Sequence, residues 1–306
     1  MHSRASGSDP LAEVIALLRP RTVLSKVISG AGDWSVQYAA HVDPGYCLVL
    51  DGSCFLAVEG VATVELEQGD FVLLPATPGF TLASDLRIAP TRGVPVHSGE
   101  LRHGRRSGPP AMRMLGGYFR FDGANAQLVL RLLPAIVHVR RGEAGADRLR
   151  RTAELIADET RAQRPGRDPI LERLVEVLLI EALRFRPVSA AKQEQGLLAG
   201  LADAALARAL HRIHVDVARR WSVAELARVA GMSRAVFAER FTRTIGMPPM
   251  QYLLEWRIAL AKDMLRRDRP PLADVAERVG YQSASAFSTA FSRVAGCSPR
   301  QFARAG

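Results

Sequence analysis

Ser233 and Ser283 each open a short run whose spacing leaves one helical face free for another molecule. In the first run Phe237 and Phe241 stand four apart and take the buried face, so Arg234, Ala235, Ala238, Glu239 and Thr242 lie largely outside. In the second, Phe287 and Phe291 leave Ala284, Ser285, Ser288 and Thr289 outside in the same way. A helix that begins at a capping serine behind a tight turn presents its N-terminal face to base edges when it enters a DNA groove. Arg234, Arg240, Arg243, Arg266, Arg267 and Arg293 are candidate phosphate anchors, with Arg240 also able to pair within the protein.

The elements that must carry these faces are written twice. WSVAELARVAGMSRAVFAERF, residues 221–241, returns as PLADVAERVGYQSASAFSTAF, residues 271–291. The offset is 49 up to Ala227, which meets Ala276, and 50 from Ser233, which meets Ser283, so the second turn is one residue longer. Each copy reads as a short amphipathic helix, a turn at Gly231 or Gly280, and a second helix. Between the copies Met250, Leu253, Leu254, Ile258, Ala261 and Leu265 recur at helical spacing, bounded by prolines, which predicts one helix from about Pro249 to Arg267. Such a helix is roughly 28 Å long at about 1.5 Å per residue. Successive major grooves on one side of a duplex lie about 34 Å apart, so the rod can hold two helices in neighbouring grooves.

These pieces resemble an AraC/XylS-type DNA-binding domain over residues 207–305, about the last third of the chain. Trp221 with SVAELA, GMS before the first exposed helix, GMPPMQYL after it, WRIALAKDML, VAERVGYQSASAFSTAF and GCSPRQF carry the resemblance. It implies base contacts from Ala235, Ala238 and Glu239, an Ala methyl against a thymine methyl and a carboxylate accepting from cytosine N4. Glu239 and Thr289 stand where such domains commonly carry Arg. Glu239 is therefore equally placed for a pair with Arg243 one turn on. The second helix is expected to touch phosphates more than bases, leaving most of the specificity to the first.

Charge agrees with a nucleic-acid partner. Of the net charge of +10, residues 206–306 carry 17 Lys and Arg against 8 Asp and Glu, and residues 1–205 carry 24 against 23. The basic excess thus belongs to the repeated module, as phosphate binding requires. No apolar run reaches membrane-spanning length and no signal peptide is evident, so a cytoplasmic protein is expected. Three unclustered cysteines, Cys47, Cys54 and Cys297, fit a reducing compartment.

Ahead of the module the pattern changes. A short helix is expected at 9–19, with Asp9 as its cap. From Val23 to Phe121, short apolar runs broken by Gly, Pro and Asp predict a β-barrel or sandwich, with turns at 52–53 and 68–70. YCLVLDGSCFLAVEG, GDFVLLPATPGFTL and LGGYFRFD resemble a cupin-type jelly-roll barrel, the β-domain often found ahead of AraC-type modules. Cys47 and Phe80 stand where metal-binding cupins carry His, and His41 with Glu59 is too few ligands for a metal. No metal, cofactor or catalytic residue is therefore expected. His41, Cys47, Cys54 and Phe80 are instead candidates for contact with a small effector or for a redox response. The stretch 93–110, with His97 and His103, reads as a mobile loop carrying solvated histidines.

LVLRLLPAIVHVRR, 128–141, is expected as a helix broken at Pro134, followed by two amphipathic helices ending near 186. In the second, Ile170, Leu174, Val177, Leu178, Ile180 and Leu183 form an apolar face that must pack on its own neighbours or on a second copy. Helices so placed resemble the dimerisation element of AraC-type regulators. The expected organisation is α+β: a cupin-like domain at 1–125, a helical dimerisation element at 126–186, a linker at 187–202 and the DNA-binding domain at 203–306. In that domain Leu206, Leu210, Ile213 and Val217 define a buried stripe, and His211 and His214 read as packed or solvated. The resemblance implies a homodimeric transcription regulator acting with RNA polymerase on double-stranded DNA. The alternatives are a metal-dependent cupin enzyme fused to a DNA-binding domain, and a redox switch at Cys47 and Cys54. The sequence holds no nucleophile elbow, phosphate loop or HExxH pattern.

Overall fold

The computed structural model describes residues 9–18, 20–41, 43–93, 100–121, 125, 133, 135–162, 164–184, 195–267 and 270–304. The chain divides into two compact units, one built on 19–121 and 135–191, the other on 192–306 together with 1–18 and 122–134.

The first unit holds eleven strands among its described residues, in two sheets and not in a closed barrel. One sheet runs β11 (Val137–Val139), β6 (Phe71–Leu74), β3 (Gly45–Asp51), β10 (Met112–Phe121), β1 (Pro20–Ala31), β9 (Leu101–Gly104). The other runs β5 (Val64–Glu67), β4 (Ser53–Val58), β7 (Phe80–Ala83), β2 (Ser35–Tyr38), β8 (Thr91–Arg92). The edge strands are short, and their partners lie only on the inner side of each sheet, so the sheets face each other without joining. Ile28, Trp34, Val49, Cys54, Leu56, Val72, Leu82 and Met114 fill the space between them. The chain crosses from one sheet to the other at Gly52, whose φ is +71° and whose added Cβ would lie 2.0 Å from the Ala111 carbonyl oxygen. Only glycine can turn this corner.

Two helices, α2 (Ala146–Ala162) and α3 (Arg167–Arg184), pack on each other and on β1. In α3 the buried residues are Leu171, Val175, Leu178, Leu179, Ala182 and Leu183. The expected apolar face is therefore two faces, and Ile170 (45% exposed) and Val177 (44%) stay in solvent with Leu155 of α2 (54%).

Three expectations for this unit are corrected. Within 93–110, Leu101–Gly104 is a strand parallel to β1, and Arg102 closes the following turn by donating to the Arg105 and Gly108 carbonyls. His103 there is buried; His97 lies outside the described residues. In 128–141, Val137–Val139 is a strand on β6, and His138 Nε2 lies 2.9 Å from Asp70 Oδ2. The β-branched VHV alternation wins over the helical spacing that precedes Pro134. Most of 126–134 falls outside the described residues.

The second unit is helical. α1 (Pro10–Leu18) joins α4 (Leu197–Ala202), α5 (Ala204–Val215), α6 (Val223–Ala230), α7 (Arg234–Ile245), α8 (Pro249–Arg267), α9 (Leu272–Arg278), α10 (Ala284–Ala295) and α11 (Pro299–Arg304). Of the expected linker, 187–194 lies outside the described residues and Leu197–Ala202 is helix α4. α1 is held by Glu13, whose Oε2 lies 2.8 Å from His214 Nδ1, while His214 Nε2 lies 2.7 Å from the Tyr252 hydroxyl. The carboxylate only accepts, so Nδ1 carries a proton and donates to Glu13. Asn125 adds a bond from Nδ2 to the Ala259 carbonyl at 2.9 Å.

α8 matches its expected bounds and serves two cores. Tyr252, Leu253 and Trp256 are buried on it, and Tyr252 meets Phe241 edge-on at 5.8 Å. Further along, Ile258, Ala261 and Leu265 pack with Val275, Phe287 and Phe291. Met250, expected in the stripe, is 39% exposed in the first turn. Midway, Arg257 donates to the carbonyls of Val217 (2.9 Å) and Arg219 (2.8 Å), which follow the end of α5. Gly280 (φ +82°), in the second turn, sits so close that an added Cβ would be 2.3 Å from the Ala218 oxygen. Gly296 has a similar φ of +74° but open space around it. Gly280→Ala is thus expected to lower unfolding stability by at least about 2 kcal/mol and Gly296→Ala by only about 1 kcal/mol. Denaturant unfolding of the two variants checks this, and equal losses would contradict the close contact.

Candidate nucleic-acid interface and interior cavity

The two candidate reading helices, α7 and α10, are built alike from local sequence. Ser222 and Glu225 form a reciprocal cap at the start of α6, and Gly231 closes it with φ +73°. Ser233 then accepts from the Val236 amide and Ser283 from the Ala286 amide, which starts each reading helix with its amide ends capped. Phe237, Phe241, Phe287 and Phe291 are fully buried and fix which face is left outside.

On α7 that outer face carries Arg234, Ala235, Glu239 and Arg243, all exposed, with Ala238 half-buried at its edge. Glu239 Oε1 and Arg243 Nη1 lie 3.6 Å apart, so the carboxylate and the guanidinium neutralise each other while both remain in solvent. Val236, not singled out in the sequence, is 52% exposed beside them. It was missed because valine at helical spacing next to two phenylalanines reads as core. On α10, Ser285 and Thr289 are exposed, and Ala284 and Ser288 are half-buried. Ser288 donates to the Ala284 carbonyl at 2.7 Å and Thr289 to the Ser285 carbonyl at 3.2 Å. With their protons turned into the helix these hydroxyls present lone pairs outward, and a phosphate would need them to rotate.

The candidate phosphate anchors divide. Arg240 Nε donates to Asp203 Oδ2 at 2.6 Å, and the same carboxylate caps α5 through the Ala205 and Leu206 amides. Arg266 lies over the Phe302 ring at 4.9 Å. Arg234, Arg243, Arg267 and Arg293 are exposed.

In the sandwich unit a cavity of about 470 Å³ lies between the two sheets. Three of the four candidate effector residues line it: His41, Cys47 and Phe80. The fourth, Cys54, is buried in the core beyond it. Lys26, Tyr38, Arg92 and Tyr118 also line it and were not singled out from sequence. The alternation of Lys26 and Ile28 on β1 is the signal that could have found the first of them. Tyr38 stacks on Phe80 with ring centres 5.0 Å apart, and its hydroxyl meets His103 Nε2 at 3.1 Å. Burial raises Tyr38 to about 12 and lowers Lys26; it also lowers His41, against the opposing pull of Asp43. Among the described residues no three His, Cys, Asp or Glu side chains converge as metal ligands.

Cys47 and Cys54 flank the Gly52 corner and both face the interior, because the crossing between sheets resets the strand parity. Burial pushes the Cys54 thiol up to about 12 and Cys47 higher still, with the neighbouring Cys54 adding to the effect. The neutral thiol is the favoured form, and it is a poor nucleophile.

The Cupin family matches residues 9–185 and a helix-turn-helix domain matches 226–305. The chain is similar to an AraC-like transcription regulator of Streptomyces antibioticus, 38% identical over 296 residues, covering 96% of this chain and 98% of that one. One of Streptomyces lividans is 37% identical over 296 residues, with 96% and 97% covered. Among solved structures, the DNA-binding domain of AdpA, a global transcriptional factor in complex with a target DNA, is 30% identical and covers 32% of this chain and 89% of that one, with a TM-score of 0.31. No helix among the described residues is long and apolar enough to cross a membrane.

The buried thiols give a pH test. Alkylation of Cys47 and Cys54 by iodoacetamide is expected to rise about tenfold per pH unit from pH 7 to 9 without levelling, because the thiolate fraction grows tenfold per unit below the pKa. A plateau near neutral pH, followed by mass spectrometry of each site, would favour a redox role for the two cysteines.

Proposed function

The chain belongs to the AraC-like transcription regulators, and we propose that its two C-terminal helix pairs read adjacent major grooves of one duplex under the control of a small molecule held in the β-sandwich. It is a DNA-binding transcription regulator. The observation that carries the finer reading is the junction at Arg257 and Gly280, which ties the second helix pair to the carbonyls beside the first. Two reading helices on a rod of 19 residues suit one face of a duplex better than two sites searched independently.

In this account α7 supplies most base contacts, through Ala235, Ala238 and Glu239. Glu239 must leave Arg243 to accept from a cytosine, freeing the guanidinium for a phosphate. α10 contributes Ala284, Ser285, Ser288 and Thr289, hydroxyls and methyls that discriminate less between bases. The exposed Leu155, Ile170 and Val177 support a second copy of the chain on the α2–α3 surface, and RNA polymerase is the partner a promoter-bound regulator meets. A ligand acts through β1 and β10, which line the cavity. Both strands run on in sequence to segments of the helical unit, α1 and the stretch holding Asn125. The relatives that span the chain are named as transcription regulators, which supports a role without catalysis.

The test is a mobility-shift series with the DNA upstream of the protein's own gene. Affinity is expected to fall steeply with salt, and Arg243→Ala to lower the slope of log K against log salt by about 1. Arg240→Ala should instead destabilise the fold, since it releases a capping carboxylate, and should leave the slope unchanged in the folded fraction. Ala235→Asp should abolish specific binding. Equal slopes for wild type and Arg243→Ala would remove α7 from the interface, and a protein that sediments as a monomer at micromolar concentration would remove the second copy.

A further inference from the structure

We infer that Val236 reads sequence: its two methyls, with the Ala235 methyl beside them, form an apolar surface on α7 that takes the C5-methyl group of a thymine in the major groove. The inference rests on the proposed entry of α7 into that groove and adds a specificity-determining residue to it.

The position follows from helical geometry. At 3.6 residues per turn, Val236, Glu239, Arg240 and Arg243 form one row at spacings of three, four and seven, while Phe237, Phe241 and Ile245 form the buried row on the far side. Val236 therefore points outward from the first turn, the part of a capped helix that meets base edges when it enters a groove. It is 52% exposed, whereas Ala238, on the margin of the buried face, is half-buried. The matching residue of α10, Ala286, is exposed too. The position is thus an outer one in both copies, and only α7 fills it with a branched apolar side chain.

Two ion pairs leave the valine uncovered. Side chains on a helix lean towards its N-terminus, so Glu239 and Arg240 are the ones whose stems would lie over Val236. Arg240 is drawn off to Asp203, with Nε 2.6 Å from Oδ2, and Glu239 reaches one turn onward to Arg243 at 3.6 Å. Methyls left in water contribute nothing to the fold, and a β-branched residue slightly lowers helix propensity. Thymine is the base that suits them. It alone of the four carries a methyl on the major-groove edge, and covering one methyl with another removes both from water. Cytosine and the purines present amino, carbonyl or ring-nitrogen groups there, which a hydrocarbon cannot satisfy.

The test uses duplexes recovered from random sequence by the full chain, with each thymine replaced singly by uracil, which pairs identically and lacks only the C5-methyl. One replacement in the site is expected to weaken wild-type binding roughly fourfold, the effect of about one buried methyl-sized group. Val236→Ala should bind the thymine and uracil duplexes equally, and Val236→Ile should keep the preference. A loss of folding or of general affinity would weaken both duplexes alike, so the ratio between them isolates the methyl contact. A ratio unchanged in Val236→Ala, or a site in which no uracil replacement weakens binding, would overturn the inference and leave the groove reading standing. Recovery of no specific duplex would overturn both.

Discussion

One guanidinium ties together the two helix pairs of the C-terminal domain. Arg257, midway along α8, donates to backbone carbonyls just past the end of α5, and the turn of the second helix pair closes on the same spot through Gly280. Carbonyl oxygens in the turn beyond a helix end need donors that the helix does not supply, and a guanidinium offers several in one fixed fork. Two separate cores, one around Phe237, Phe241 and Tyr252 and one around Phe287, Phe291 and Ile258, are thereby held on one rod at one spacing. A flexible link between them would let each helix pair bind alone, and the second, poor in charged side chains on α10, would gain little by itself.

The two reading helices are unequal, and their inequality is physical. α7 carries a carboxylate and two guanidiniums on its outer face, Glu239 paired with Arg243 in solvent and Arg234 exposed beside them. α10 offers hydroxyls that already donate within the helix. In the proposed reading the first discriminates bases, and the second, fixed to it, adds contact area. In the sandwich the same logic of unequal parts applies. Two inward glycines open a space, and a stacked aromatic pair and aliphatic walls make its lining mostly apolar.

What the sequence made legible was local. The duplicated pattern, its capping serines, the turn glycines and the bounds of α8 follow from spacing within a few turns, and they match the structure closely. What it hid depends on partners far along the chain. β9 and β11 are strands because β1 and β6 lie beside them, and nothing within 93–110 or 128–141 announces those neighbours. Glu13 and His214 stand 201 residues apart, so no pattern could show that α1 packs with the C-terminal helices. In α3 apolar residues surround the helix, and periodicity could not decide which side would be buried; Ile170 and Val177 turned out to be outside. The cavity was half legible: Cys47 and Phe80 were noticed as departures from a metal-binding pattern, while Lys26 needed the register against Gly116 to be seen.

The measurement that bears most directly on a fixed pair of reading helices is selection of binding sites from random duplex DNA by the full chain. The account predicts recovered sites with two blocks about one helical turn apart, roughly 10–10.5 base pairs, the block under α7 more sharply defined than the block under α10. Inserting five base pairs between the blocks should then cost most of the specific affinity. Recovery of a single block, or of two blocks that tolerate any spacing, would contradict the rigid junction.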